Sequence, residues 1–211
     1  MSNGNTTANH HQGAWNTVPA TFAVSSGKWY FEGYGHTNSS HYVHYGIISA
    51  EKMNANKTQP ESEINANANG YAYGYYGNSG RIYYSTTSAG GQDVAYGNSY
   101  GSTDYIGIFA DLDNNKLYFA KNGTLQNSGT GYDINADGKP YILATAVYNG
   151  LTNVNFGSGV FGTTALTGTT YSDANGTGIF KYSPNQGGAS IFDSAAKNFY
   201  TLNTKNIKEF G

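Results

Sequence analysis

"DYIGIFADLDNNKLYFAKNG" (104–123) sets two apolar runs on either side of an acidic, amide-rich bend. In the first run Ile106, Ile108 and Ala110 alternate with Gly107, Phe109 and Asp111; in the second, Leu117 and Phe119 alternate with Tyr118 and Ala120. A period of two sends successive side chains to opposite faces of a strand, so both runs read as β. Asp and Asn tolerate left-handed backbone and hydrogen-bond their own main chain in turns, which makes DNN (113–115) a hairpin bend and KNG (121–123) a second turn. The expected turn residues are Asp111, Asp113, Asn114, Asn122 and Gly123. Asp111 and Asp113 share a face by parity, but a hydrolytic pair must flank its substrate across a cleft, with roughly 5 to 9.5 Å between carboxyls. Glu32 has no companion of the spacing that sandwich glycosidases use, so no catalytic residue is expected.

The rest of the chain has the same β character. It is rich in Gly (29) and Tyr (20) and also carries much Asn and Thr, a composition poor for helices and suited to pleated surfaces. At 211 residues it is long enough to hide about 70% of the surface an unfolded chain exposes. Only 11% of residues are charged and the net charge is -2, so no basic field exists to hold nucleic acid or an anionic membrane. The lack of cysteine removes disulfides, thiolate catalysis and cysteine-ligated metals. The polar start MSNGNTTANHHQG carries no signal-peptide pattern, and no apolar run approaches a membrane span of about 20 residues.

Residues 1–20 show no sustained periodicity and read as an N-terminal arm or an incomplete first strand. Strand signals begin at TFAVSS (21–26) and continue in GKWYFEGYG (27–35), where Trp29, Phe31 and Gly33 alternate with Lys28, Tyr30 and Glu32, and in HYVHYGIIS (41–49). Residues 53–70 read as a long surface loop. YAYGYY and RIYYS flank GNSG (77–80) as a hairpin, with Tyr71, Tyr73 and Tyr75 on one face. Residues 86–103 read as a second, Gly-rich loop, and YILATAVYN (141–149) and TNVNFG (152–157) as two more strands. Short strands with frequent turns and no long amphipathic helix predict an all-β, bent antiparallel β-sandwich.

Four segments in order resemble the SPRY family, also called B30.2 in its longer form: GKWYFE (27–32), YGI (45–47), DYIGIFADLDNNKLYFAKNG (104–123) and NVNFG (153–157) with Phe161. The chain departs from that pattern at Thr103, at Val160 and in the Asn-rich insertion 53–70. The resemblance implies an SPRY/concanavalin-like sandwich over 21–162 with long loops, followed by an irregular C-terminal extension over 163–211. DANGTGIFKYSP (173–184) and FYTLNTKNI (199–207) resemble the endings of SPRY-like modules in phage tail fibre and virion proteins. Functionally, the resemblance implies a non-enzymatic recognition or structural module of a virion surface or extracellular protein. Its partners would be other virion or tail proteins, or a host surface glycan or protein, and homo-oligomers are compatible with it. A carbohydrate-binding module is the alternative, and a glycan-degrading enzyme a more distant one.

Candidate ligand contacts are Tyr96, Tyr100, Tyr148 and His44, because tyrosine beside a turn offers stacking area and a hydroxyl at small rotamer cost. His41 and His44, three apart on a strand, point to opposite faces and cannot share a metal, and the histidines read as surface residues. No cofactor is expected. DINADG (133–138) matches the start of a calcium loop through Asp133, Asn135 and Asp137, but Ala144 stands where a bidentate Glu is needed and Pro140 interrupts the continuation. An Asx-rich turn is the simpler reading. No nucleophile elbow, P-loop or dinucleotide fingerprint is present.

Overall fold

The computed structural model describes residues 3, 6–51, 72–86, 89–135, 138–185 and 199–210. The expected loop 53–70, Tyr71 and Asp137 lie outside the described residues. The chain runs through β1 (Thr7–Val24), β2 (Lys28–Tyr34), β3 (Val43–Ser49), β4 (Ala72–Tyr76), β5 (Arg81–Thr86), β6 (Ala89–Ala95), β7 (Ile106–Asp111) and β8 (Lys116–Lys121). It continues with β9 (Thr124–Leu125), β10 (Tyr132–Asp133), β11 (Tyr141–Asn155), β12 (Val160–Phe161), β13 (Thr164–Ala165), β14 (Tyr200–Thr201) and a short helix α1 (Thr204–Phe210). Among the described residues twelve strands form one hydrogen-bonded sheet, in the order β10-β8-β7-β2-β11-β3-β4-β5-β6, with β1 on β11, β14 on β2 and β9 on β8.

That sheet bends back over itself because β11 is shared. Its first half pairs with β3 (Tyr141↔Ser49 to Val147↔Val43) and its last residues pair with β2 (Asn153↔Tyr34 to Asn155↔Glu32). The β3-β4-β5-β6 and β2-β7-β8-β10 halves therefore hinge at β11 and face each other, giving the all-β sandwich the alternation predicts. Between them lies one core of buried side chains: Trp29 and Phe31 from β2, Tyr45 and Ile47 from β3, Tyr75 from β4, Ile106 and Ile108 from β7, and Phe119 from β8. Each large apolar side chain removed from water in this way contributes about 1.5 to 3 kcal/mol. Gly33 is needed there: a Cβ at that position would stand 2.2 Å from the Tyr45 ring.

The bend at 111–115 is held by its own polar groups. Asp111 accepts from the Asn114 backbone N–H at 3.0 Å and from its side-chain amide, and pairs with Lys28 at 3.1 Å. Asp113 accepts from the Gly27 N–H at 2.7 Å, tying the bend to the start of β2. Asn115 (φ 54), Asn122 (φ 49) and Gly123 (φ 79) take left-handed backbone.

Three sequence expectations differ from the structure. Residues 7–20 form no arm but take the strand reading in full, as part of β1, which runs antiparallel along β11 from Thr7↔Asn153 to Val24↔Tyr141. Its buried positions include Thr7 and Thr17, so the strand is held by its ladder and shows little apolar alternation. Residues 89–95, expected as loop, pair with β5 as β6, whose exposed Gln92, Asp93, Val94 and Ala95 likewise hide the period. YILATAVYN and TNVNFG join into the single β11, which passes through Asn149 at φ 45.

The C-terminal extension packs on the outer face of the β2-β7-β8 half. Phe180 meets Tyr30 edge-on at 4.9 Å and Phe199 meets Phe109 at 5.2 Å. β14 pairs in parallel with β2 through Tyr200↔Trp29. Two buried carboxylates fasten it. Glu32 accepts from the Tyr30 hydroxyl at 3.0 Å, the Asn155 amide at 3.2 Å, and the Lys181 and Tyr182 backbone N–H at 2.9 and 2.8 Å. Asp173 accepts from the N–H groups of Asn175, Thr177 and Thr201, from the Thr177 hydroxyl and from the Asn206 amide of α1.

Candidate functional site

On the outer face of the β3-β4-β5 half, side chains of opposite parity to the core build an aromatic cluster. His44 of β3 lies opposite Tyr76 of β4 and Ala146 of β11, and Ala146 in turn lies opposite Thr17 of β1. Trp15, paired with Tyr148, sends its indole diagonally across the strand so that its ring reaches 4.8 Å from His44. The small side chain of Ala146 leaves that path open. His44 is stacked on Tyr76 at 4.5 Å and 11°, and Tyr83 closes edge-on against both at 5.3 and 5.0 Å. This forms a packed aromatic base in which His44 is fully buried.

Above the base lie three half-buried rings: Trp15, Tyr42 and Tyr148. Their centroids are 6.3 Å (Trp15–Tyr42), 5.9 Å (Trp15–Tyr148) and 5.9 Å (Tyr42–Tyr148) apart. Asn38 fixes two of them. Its amide donates to the Tyr148 carbonyl at 2.5 Å, and its oxygen accepts from the Tyr42 N–H at 3.1 Å. The Tyr148 N–H donates back to the Tyr42 carbonyl at 3.0 Å. Burial pushes the Tyr76 hydroxyl well above the ordinary phenol range, with Tyr42 and Tyr83 adding to the shift, and burial, with Asp93 beside it, raises that of Tyr83. Both remain neutral phenols. Among the described residues, Arg81 and Asp93 border this face, and their ion pair at 2.5 Å cancels the two charges.

The four expected ligand contacts separate into two pairs. Tyr148 and His44 meet in the aromatic cluster, one in the surface layer and the other in its base. Tyr96 and Tyr100 are in the core, at 8% and 2% exposure. The Tyr100 hydroxyl donates to the Tyr75 carbonyl at 2.7 Å and its ring stacks on Tyr45. Tyr96 donates to the Thr130 carbonyl at 3.1 Å and packs edge-on against Phe119. The correction has a physical cause, since a Gly-rich segment turns tightly enough to fold its tyrosines back into the sandwich. His36 and His44, expected at the surface, are buried. Asp133 is paired with Lys116 at 2.5 Å, Asn135 donates its N–H to the Tyr73 hydroxyl at 3.0 Å, and Asp137 is not described. Among the described residues no group of three His, Cys, Asp or Glu side chains is placed to hold a metal.

Trp15, Tyr42, Tyr76 and Tyr83 were not legible as site residues. Trp15 falls in the segment read as an arm, although an isolated Trp in a polar stretch is a usable signal. The parity of Tyr42, His44 and Tyr76, opposite to core-facing Tyr45 and Tyr75, carries two of the others, and that of Tyr83, opposite to core-facing Ile82, carries the last.

The model of the SPRY domain family matches residues 28–158. Over 145 residues the chain is 26% identical to the probable ATP-dependent RNA helicase ddx1 of Dictyostelium discoideum, covering 68% of this chain and 16% of that protein. Since the chain spans so little of that relative, the helicase's activity does not transfer. The crystal structure of the SPRY domain of human HERC1 superposes with a TM-score of 0.54 at 17% identity, over 71% of this chain and 87% of that one. A second human SPRY domain gives 0.52 at 16% identity, over 73% and 92%. At such identities the likeness speaks for the fold.

Proposed function

This chain belongs to the SPRY domain family, and from that membership we propose that it is a non-enzymatic recognition module that engages its partner through Trp15, Tyr42 and Tyr148. SPRY domains are protein-interaction modules, generally without catalysis. The observation that carries this reading is the layering of the aromatic cluster: three half-buried rings on a fully packed base. Stacking area held rigid loses little entropy when a ligand arrives. The sandwich serves as frame, and the contacts come from a patch that the frame immobilises.

A virion surface or phage tail fibre is the setting we favour, outside the cell. Its support is the resemblance of 173–184 and 199–207 to module endings in such proteins, and a composition poor in charge and rich in amide and hydroxyl side chains. The reading invokes no cofactor.

The test is adsorption of the labelled full chain to a panel of bacterial cells, comparing wild type with Trp15→Ala and Tyr148→Ala. Binding to at least one strain, weakened about tenfold or more by either change, is the expected outcome, since a stacked aromatic is worth up to about 1.5 kcal/mol beyond its area. Unaltered adsorption by both variants, or release of sugar fragments from the cells, would overturn it.

A further inference from the structure

We infer that the Trp15–Tyr42–Tyr148 patch takes a neutral glycan, with a pyranose ring seated on the indole and the neighbouring hydroxyls bonded to sugar hydroxyls. The inference rests on the recognition role proposed above and names the chemistry of the partner. Three observations converge on it.

The first concerns shape and area. The three rings are mutually tilted, at 31°, 57° and 73°, and they form a triangle about 6 Å on a side, the dimensions of one or two sugar rings. Each ring is half-buried, so the three together offer a small stacking surface, suited to a ligand of one or two rings. Among the described residues the large apolar side chains that are exposed, Phe22, Val94, Tyr171 and Ile179, lie outside the cluster.

The second concerns polar groups. The Trp15 indole N–H and the Tyr42 and Tyr148 hydroxyls make no hydrogen bond to a described residue, while the backbone beneath them is fixed by Asn38. A sugar, which presents an apolar ring face bordered by hydroxyls, matches a ring surface with free donors and acceptors at its margin.

Third, the charges of the described residues favour a neutral over an acidic glycan. A sialylated or uronic-acid glycan calls for a free Arg or Lys near the rings. Among the described residues the cation beside this face is Arg81, and it is already committed to Asp93 at 2.5 Å.

Tryptophan emission makes the test direct, because the chain has two tryptophans and Trp29 is fully buried, so changes caused by a surface ligand report on Trp15. The full chain is titrated with hexamers of β-1,4-linked glucose, β-1,4-linked N-acetylglucosamine and α-1,4-linked glucose, with a hexamer of galacturonic acid as the acidic arm. A printed array of neutral and acidic glycans extends the search. Expected are a saturable change in emission with a neutral glycan, little dependence on salt, and about tenfold weaker binding of that glycan by calorimetry for Tyr148→Ala and Trp15→Ala. Tighter binding of acidic than of neutral glycans would overturn the inference. So would the absence of any neutral glycan binding while Trp15→Ala still abolishes adsorption to cells, an outcome that leaves the recognition role standing with a protein as partner. Adsorption indifferent to both Trp15→Ala and Tyr148→Ala would remove the recognition role itself.

Discussion

Glu32 shows how much one residue can depend on its surroundings. Four donors surround its carboxylate, yet burial outweighs them and raises its pKa from 4.5 to about 7. A folded-state pKa above the unfolded one means the folded chain holds the proton more tightly. The resulting stabilisation is complete below the unfolded value and is lost as pH rises through about 7. The span corresponds to about 3 kcal/mol. His36 acts in the opposite sense, because burial and then His41 lower its pKa and disfavour the charged ring at low pH. The difference between wild type and Glu32→Gln isolates the carboxyl: urea midpoints should show wild type losing stability relative to the variant between about pH 5 and pH 8. Parallel profiles would reject the assignment. Asn38 provides the second residue-scale prediction. Asn38→Ala should leave the fold intact, cost about 1 to 2 kcal/mol, and raise acrylamide quenching of Trp15 by releasing Tyr42 and Tyr148.

At the scale of elements, the face a strand presents is decided by what lies beside it. The alternation in 104–123 makes a hairpin legible, because core-facing Ile106, Ile108, Leu117 and Phe119 are apolar and the bend is Asx-rich. β1 and β6 carried no comparable pattern; they are strands because β11 and β5 offer them a ladder. The aromatic cluster is likewise a product of registration, with Trp15, Ala146, His44 and Tyr76 coming from four strands. Ala146 is the position that lets the indole cross. Ala146→Leu should push Trp15 off His44, cost about 1 to 3 kcal/mol by overpacking, and shift Trp15 emission toward that of a solvated indole. An emission spectrum identical to wild type would show that the crossing does not depend on Ala146.

At the scale of the whole molecule, the extension after Phe161 behaves as part of the sandwich. Phe180 and Phe199 cover Tyr30 and Phe109, and the two buried carboxylates bind backbone from both sides of that contact. Burial alone would raise the Asp173 pKa, but the donors from Thr201 and Thr177 outweigh it and hold the pKa below the usual value, so the Asp173 clasp weakens as pH falls through that range. Phe180→Ala should therefore lower stability by about 3 to 5 kcal/mol and move the melting of Trp29 emission and of far-ultraviolet dichroism together. Two separated transitions would show that the extension unfolds independently.

From the amino-acid sequence alone came the β class, the hairpin of 104–123, its turn residues and the order of segments that marks an SPRY sandwich, because period-two alternation and turn chemistry are local properties of a chain. Which tyrosines face outward was a tertiary outcome. Tyr96 and Tyr100 belong to the core and Tyr42 and Tyr148 to the surface, although all four occupy similar turn-flanking sequence. The difference arises from strand pairing between segments far apart in the chain, which sets Trp15 beside Tyr148 and leaves a gap over Ala146 that no local pattern records.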